Sequence, residues 1–199
     1  MNQSQTANYI IGFLGKKGSG KSHKVKQMMK KIPRYIVIDP MDEYSDCVVV
    51  NNYDELYDYL CGYHSSDFRI AFRPPDDFEC EKFWELANEI HDYTLIVEEA
   101  DIYAHSTDIH PELLNRLKHG RHKKNSTIWI SRSPFEINRY LTRQTDLIVC
   151  YLQTEPRDLK YLEGYKFDKD ITKLNYSKYE YAVWLSYPAA RKLRKDFDI

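Results

Sequence analysis

The sequence alternates between short apolar segments of strand length and longer segments with helical spacing. The apolar segments are Tyr9–Leu14 (YIIGFL), Tyr35–Asp39 (YIVID), Phe68–Phe72 (FRIAF), Thr94–Glu98 (TLIVE), Thr127–Ser131 (TIWIS) and Leu147–Tyr151 (LIVCY). Most of them are continuously apolar and do not alternate with polar residues, as expected of parallel strands that are covered on both faces. The pattern therefore predicts a buried, mostly parallel sheet.

Helix-like segments fill the intervals between these strands. They are Lys21–Lys31, Asp54–Leu60, Phe78–Asp92, Pro111–His119, Phe135–Thr142 and Asp158–Tyr165. Two carry helix-start signals, since Pro111 is followed by Glu112 and Pro156 is preceded by Glu155. The alternation predicts an α/β fold in three layers, in which helices flank both faces of the central sheet and the connections are right-handed.

This alternation of strand-like and helix-like segments continues through the whole chain of 199 residues, and no repeat or linker-like segment interrupts it. That length suits one domain with a single sizeable core. We therefore predict one domain over residues 1–199, with a core at about 9–151 and a C-terminal extension at about 152–199. The polar and basic tail Ala189–Ile199 is expected to be an arm or a frayed helix.

Charge and composition exclude some classes of function. Lys and Arg number 29 against 30 Asp and Glu, so the formal net charge is −1. This balance excludes a uniformly basic nucleic-acid coat and leaves room for a local basic patch. No apolar run approaches the roughly 20 residues that cross a bilayer, and the polar N-terminus lacks the pattern of a signal peptide. We expect a cytoplasmic protein with no membrane span that is not secreted.

Residues 15–22 read GKKGSGKS and match the pattern G-x-x-x-x-G-K-[ST] in full, directly after the first strand and before a helix. Glycines there let backbone N–H groups point inward and form a nest for a polyphosphate at the helix N-terminus. Lys21 is expected to neutralise the β- and γ-phosphates, and Ser22 to bind Mg²⁺. The predicted nucleotide-binding residues are Gly15, Lys16, Lys17, Gly18, Ser19, Gly20, Lys21 and Ser22.

Two adjacent carboxylates, Glu98 and Glu99, follow the apolar part of the strand TLIVEEA. In a phosphate-loop enzyme, the C-terminal end of such a strand faces the nucleotide. Glu98 would then hold Mg²⁺ directly or through water, and Glu99 would be the general base for the attacking water. An ordinary solvated helix or loop is the alternative for this segment alone, and the phosphate loop favours the catalytic interpretation. The predicted cofactors are ATP and Mg²⁺.

A basic segment precedes the strand Thr127–Ser131, and Arg132, Ser133 and Pro134 follow it. Taken in order, GKKGSGKS, VIDPMDEY, LIVEEAD and HGRHKKNSTIWISRSP resemble the FtsK–HerA superfamily of ring-forming, DNA-translocating ATPases. The resemblance covers about residues 9–151. Many NTPases share the phosphate loop, whereas DPMDEY and GRH are more discriminating.

The resemblance implies a RecA/ASCE-like P-loop NTPase. It gives Lys21 and Ser22 their usual roles and makes Glu99 the catalytic base. Asp39 and Glu43 match acidic positions after the second strand, near the nucleotide end of the sheet, where their role is less defined.

The resemblance also implies catalytic arginines. Arg121 falls near the position from which superfamily members reach into a neighbouring subunit and stabilise phosphoryl charge. The superfamily usually has a Gln that senses the γ-phosphate where this chain has Arg132. Arg132 therefore senses the phosphate within its own subunit, replaces the finger from the neighbouring subunit, or points elsewhere.

We expect from the resemblance an ATP-driven translocase of double-stranded DNA that works as a homo-oligomeric ring, hexameric or pentameric. The chain starts shortly before its first strand, so no preceding domain or anchor is expected. A motor of this minimal kind is most similar to the genome-packaging ATPases of tailless icosahedral viruses with an internal membrane. Such a protein would act in the host cytoplasm or at a virion vertex, beside a capsid or membrane vertex protein.

Other classes of protein share parts of this pattern. Phage assembly and secretion ATPases similar to the zonular occludens toxin have the same motifs, but they usually continue into a transmembrane helix. A small-molecule phosphotransferase such as a nucleotide kinase fits the chain length and would use DPMDEY to hold its substrate. A non-catalytic nucleotide switch would bind nucleotide without turnover.

Overall fold

The computed structural model of the chain describes residues 8–63 and 66–199. Its strands are β1 (Ile10–Leu14), β2 (Arg34–Ile38), β3 (Val48–Val50), β4 (Phe68–Phe72), β5 (Thr94–Val97), β6 (Ser126–Ser131), β7 (Leu147–Tyr151) and β8 (Tyr181–Leu185). They form one sheet in the order β3-β4-β2-β5-β6-β1-β7-β8. Neighbouring strands are parallel except for the antiparallel pair β7–β8.

The helices of the described residues are α1 (Lys21–Met29), α2 (Tyr53–Tyr63), α3 (Asp77–Glu89), α4 (Pro111–His119), α5 (Arg139–Gln144), α6 (Pro156–Leu162) and α7 (Arg191–Asp196). Short 3-10 turns cover Gly120–Lys123, Tyr176–Lys178 and Pro188–Ala190. Helices α2 to α6 contribute to the hydrophobic cluster on one face of the sheet, and α1 and α7 to the cluster on the other face. The predicted three-layer fold is confirmed.

The continuous apolar runs reflect this double coverage. In β1, Ile10 and Leu14 belong to the cluster beneath α2 to α6, whereas Ile11 and Phe13 belong to the cluster beneath α1 and α7. Every residue of this strand is buried. Successive side chains of a strand point to opposite faces, so both faces demand apolar residues when both are covered by helices.

The structure differs from the predicted elements at several places. Strands β3 and β8 were not predicted: β3 has just three residues, and β8 alone runs antiparallel. Helix α5 begins later than predicted, because the Asn138 side chain accepts a hydrogen bond from Tyr140 N and caps the helix there. The tail is not an arm, since α7 buries Leu193 against the core and Phe197 packs edge-on to the ring of Tyr9.

None of the helices within residues 8–63 and 66–199 has both the length and the apolar character needed to cross a membrane.

Candidate active site

The parallel strands bring most of the predicted site residues to one edge of the sheet. Leu14 is paired with Ser131, and Ile38 with Val97, so β1, β6, β2 and β5 end side by side. We call this edge, where the C-terminal ends of β1 to β7 meet, the carboxyl edge. The phosphate loop, the Glu98–Glu99 pair, Asp39 and Arg132 follow directly from these strand ends.

The loop at residues 15–22 is open to an anion at the start of α1. Gly20 precedes the helix with a φ of 98°, in the left-handed region that favours glycine, and no side chain caps the helix N-terminus. The Ser19 hydroxyl is buried and has no hydrogen-bond partner in the part of the chain that the structure describes. Unpaired donors at a helix N-terminus attract phosphate groups, so these residues fit a polyphosphate.

Lys21 lies within this loop and is almost fully buried. Its ammonium donates hydrogen bonds to the carbonyl oxygens of Gly15, at 2.6 Å, and Lys16, at 3.1 Å. Burial lowers the pKa of Lys21, while the negative charges of Glu98 and Glu99 oppose that change. The ammonium is therefore held at the centre of the loop, between the backbone and the acidic pair.

Glu98 forms a buried oxygen cluster with two hydroxyl groups. Tyr44 donates a hydrogen bond to Glu98 Oε1, and the Ser22 hydroxyl also bonds this carboxyl group. Burial raises the pKa of Glu98 to about 7, since the side chain is desolvated. Carboxylate and hydroxyl oxygens are the ligands that Mg²⁺ prefers. Ser22 and Glu98 thus fit the predicted metal site, and a cation there would compensate the buried charge.

Glu99 adopts a strained backbone and pairs with an arginine of the same chain. Its φ is 46°, in the left-handed region that non-glycine residues rarely occupy. Arg132 Nη2 lies 2.5 Å from Glu99 Oε1, and this bond raises the pKa of Arg132. The turn is fixed on both sides, because Ala100 N donates to Ile130 O at 2.8 Å and Ser131 Oγ donates to Asp101 Oδ1 at 2.9 Å.

Asp39 is fully buried and points into its own loop. It accepts hydrogen bonds from the backbone N–H groups of Glu43, at 2.8 Å, and Tyr44, at 3.0 Å, and from Arg73 Nε at 3.1 Å. Asp39 therefore shapes the DPMDEY turn and places Tyr44 against Glu98. Glu43 is exposed and lines the cavity beside the phosphate loop.

The structure does not bring Arg121 to this edge. The residue lies in the 3-10 turn just before β6, at the opposite, amino edge of the sheet. Burial raises the pKa of Asp146 at that edge, and the positive charge of exposed Arg121 opposes the change. Arg116, from the same basic segment, is buried and bonds Ala87 O, Ser126 O, the Thr127 hydroxyl and the Tyr93 hydroxyl.

Several residues of the site were not identified from the sequence. Tyr44 lies within the quoted DPMDEY motif, and Arg73 directly follows the end of β4. Both positions could have been found by treating every strand end at the carboxyl edge as part of the site. Tyr151, Tyr176 and Tyr179, which contact the phosphate loop, carried no signal of this kind.

The arrangement defines a P-loop NTPase fold, in which a glycine-rich loop after β1 and an acidic pair after β5 share one edge of a parallel sheet. No protein-family model matches the sequence, and no curated protein matches it. Solved structures do match.

The genome packaging NTPase B204 from Sulfolobus turreted icosahedral virus 2, in complex with AMP, matches with a TM-score of 0.67 and 19% identity, over 90% of this chain and 98% of that chain. The same protein in complex with ATP-gammaS matches with a TM-score of 0.64 and 23% identity, over 79% of this chain and 81% of that chain. The N-terminal domain of zonular occludens toxin from Neisseria meningitidis matches with a TM-score of 0.52 and 16% identity, over 85% and 99%. These similarities confirm the predicted fold.

Proposed function

We propose that this protein is an ATP-driven translocase of double-stranded DNA that works as a homo-oligomeric ring, as in viral genome packaging. One observation carries the ATPase part of the proposal. The phosphate loop, the Ser22–Glu98 oxygen cluster and the Glu99 carboxylate lie together at the carboxyl edge. One chain then supplies all the groups needed for phosphoryl transfer to water, apart from the arginine that a neighbouring subunit would contribute.

Hydrolysis would use these groups as follows. The loop N–H groups and Lys21 would hold the β- and γ-phosphates, and Ser22 and Glu98 would hold Mg²⁺. When bound, Mg²⁺ neutralises the phosphate charge that grows in the transition state. Glu99 accepts the proton of the attacking water on its carboxylate, and the water oxygen bonds the γ-phosphorus as ADP leaves.

Arg121 fits a role between subunits in this proposal. It lies at the amino edge, away from the site of its own chain, and its side chain is exposed. In a ring, such an arginine can reach the γ-phosphate of a neighbour and stabilise its charge. Arg132, in contrast, already contacts Glu99 within the same chain.

DNA contacts would come from exposed basic residues near the end of α4. They are Lys118, His119, His122 and Lys124. Buried Arg116 takes no part, because its guanidinium is used by the core. Contacts of this type go to phosphates and are largely independent of base sequence. The similarity to the genome packaging NTPase B204 supports this choice of substrate.

A phage assembly or secretion ATPase is the second candidate, and the similarity to zonular occludens toxin favours it. A nucleotide kinase is less well supported. It would hold its substrate through DPMDEY, where the Asp39 carboxylate is fully buried and bonded to its own turn and Arg73, so the exposed Asp42 or Glu43 would have to take that role.

The test is ATP turnover with and without duplex DNA of unrelated sequences, together with a mass measurement in the presence of nucleotide. We expect duplex of any sequence to stimulate turnover and nucleotide to favour the ring. Lys21→Ala is the control for contaminating ATPases. An ATP turnover rate that is the same with and without duplex DNA would contradict translocation and favour the assembly ATPase. Phosphate transfer to a nucleoside monophosphate would favour the kinase.

A further inference from the structure

The phosphate loop opens into a cavity of about 740 Å³ whose lining is partly aromatic. Lys21 and Ser22 line it together with Tyr151, Tyr179 and Tyr181. Tyr179 and Tyr181 belong to the C-terminal extension, beyond the motifs by which the sequence identifies the nucleotide site. The space beside the polyphosphate site is therefore shaped in part by residues outside those motifs.

Two tyrosines of the extension lie directly against loop glycines. The Tyr176 hydroxyl donates a hydrogen bond of 2.7 Å to Lys17 O, and a β-carbon at Gly18 would lie 2.7 Å from that hydroxyl. A β-carbon at Gly20 would lie 3.1 Å from Cδ1 of Tyr179. The turn that carries Tyr176 and Tyr179, which we call the aromatic turn, therefore packs directly against the phosphate loop.

The turn that carries Tyr179 is held rigidly by its own hydrogen bonds. Asn175 Oδ1 caps the 3-10 turn by accepting from Lys178 N at 3.2 Å. The Glu180 carboxylate accepts from Asn175 N at 2.9 Å, and Glu180 N donates to Asn175 O at 3.2 Å. Tyr179 itself has a φ of 53°, a left-handed conformation that this network maintains.

The Tyr179 side chain is nevertheless 59% exposed, at the mouth of the cavity. An exposed aromatic side chain on a fixed backbone loses little conformational entropy when it binds a flat ligand. Three other polar residues that line the cavity are already hydrogen-bonded. Lys24 Nζ donates to Asp198 O at 2.6 Å, and the side chains of Gln27 and His23 bond each other at 3.0 Å.

We propose that Tyr179 is the surface on which the base of a purine nucleoside triphosphate stacks. The proposal rests on the nucleotide site described under the proposed function. Stacking tolerates different bases, because each has a π-face, and Lys24, Gln27 and His23 of the same lining already have hydrogen-bond partners. The ligand class is therefore purine nucleoside triphosphates in general, with adenine and guanine accepted alike.

The test compares ligands with and without a base. The β,γ-methylene analogues of ATP and GTP, and tripolyphosphate, are titrated calorimetrically with Mg²⁺ into the full chain. Tyr179→Ala removes the ring, Tyr179→Phe keeps it, and Tyr57→Ala is a matched control on α2, where the tyrosine is 47% exposed. Thermal melting of each variant checks the fold.

We expect Tyr179→Ala to weaken both analogues about tenfold, which is the lower part of the range for base stacking. Tripolyphosphate affinity should change by less than about twofold, because it has no base to lose. Tyr179→Phe and Tyr57→Ala should bind all three ligands as the wild type does.

Four results would overturn the proposal. If Tyr179→Ala binds both analogues as tightly as the wild type and still binds tripolyphosphate, Tyr179 does not bind the base, although the phosphate site is present. If Tyr179→Ala loses as much affinity for tripolyphosphate as for the analogues, Tyr179 stabilises the phosphate loop and does not bind the base. A preference of more than about tenfold between the two analogues in the wild type would indicate hydrogen-bonded base selection. If the wild type binds neither analogue nor tripolyphosphate, the proposed function fails as well.

Discussion

Arg132 Nη2 lies 2.5 Å from Glu99 Oε1, so this arginine is paired with the proposed base of its own chain. Arg132 is 48% exposed and Glu99 only 18%. The carboxylate therefore stays near the phosphate loop while the guanidinium extends toward solvent. A substitution at either residue should therefore affect the other residue of the pair.

Arg132→Ala should lower kcat for ATP about tenfold and change KM much less, because Glu99 loses the partner that orients it on a strained turn. Arg132→Gln should restore part of the rate, since its amide can donate one hydrogen bond to the carboxylate. Steady-state turnover measures both. An Arg132→Ala variant as active as the wild type would remove Arg132 from this positioning role.

Glu99→Gln should retain ATP and stop its hydrolysis, with a fall in turnover of about a hundredfold or more. The amide keeps the shape of the side chain and cannot take a proton from water. Lys21→Ala should behave differently and lose nucleotide affinity, because the loop then lacks its central cation. Equilibrium binding measured beside turnover separates the two effects. Residual turnover close to wild type in Glu99→Gln would exclude it as the base.

Asp39→Asn should destabilise the fold by about 3 kcal/mol, because it breaks a buried charged contact with Arg73. Asp42→Asn is the matched control. Asp42 contacts the same Arg73 Nε at 3.0 Å, but its side chain is 72% exposed, so the loss should stay below about 1 kcal/mol. Urea unfolding measures both. Equal losses would mean that Asp39 contributes no more than a surface ion pair.

Arg116→Met should destabilise the protein by about 2 kcal/mol, since it removes the buried guanidinium that donates to Ser126 O, the Thr127 hydroxyl and the Tyr93 hydroxyl. Lys118→Met, on the exposed side of the same helix, should change stability little. Thermal or urea unfolding of the pair is the measurement. If the two variants are equally stable, the Arg116 contacts are not what holds α4 to the sheet.

Mixing Arg121→Ala with Lys21→Ala subunits should restore part of the ATPase activity that each variant lacks alone. Some interfaces of a mixed ring would combine an intact loop with an intact Arg121 from the neighbour. Turnover is measured across mixing ratios, with each variant mixed with itself as the baseline. Activity that never rises above the baseline at any ratio would count against a role between subunits.

Much of the fold follows from local sequence. Continuous apolar strands such as Thr94–Val97 and the loop GKKGSGKS fix both the sheet and one edge of it, because parallel strands all end on the same side. The pairing of Glu98 with Ser22 follows from that rule. The role of Asp39 did not, because the direction of its hydrogen bonds depends on how the DPMDEY turn closes around it.

Long-range contacts explain what was missed. Tyr176 hydrogen-bonds Lys17 across 159 positions of sequence, and no sequence pattern at either residue indicates this contact. The antiparallel strand β8 was missed for a similar reason, since its partner β7 also serves the parallel part of the sheet. Arg121 lies at the amino edge because the 3-10 turn that carries it precedes β6, and its role between subunits stays a prediction.

Strand β8 has a further consequence for any shortened version of the chain. Tyr181 begins this strand opposite Tyr151, which ties the aromatic turn to the sheet. A truncation after β7 would preserve every nucleotide motif recognisable in the primary structure. It would also strip away the tyrosines seated on the phosphate loop, so motif content is a poor guide to which fragments keep a complete pocket.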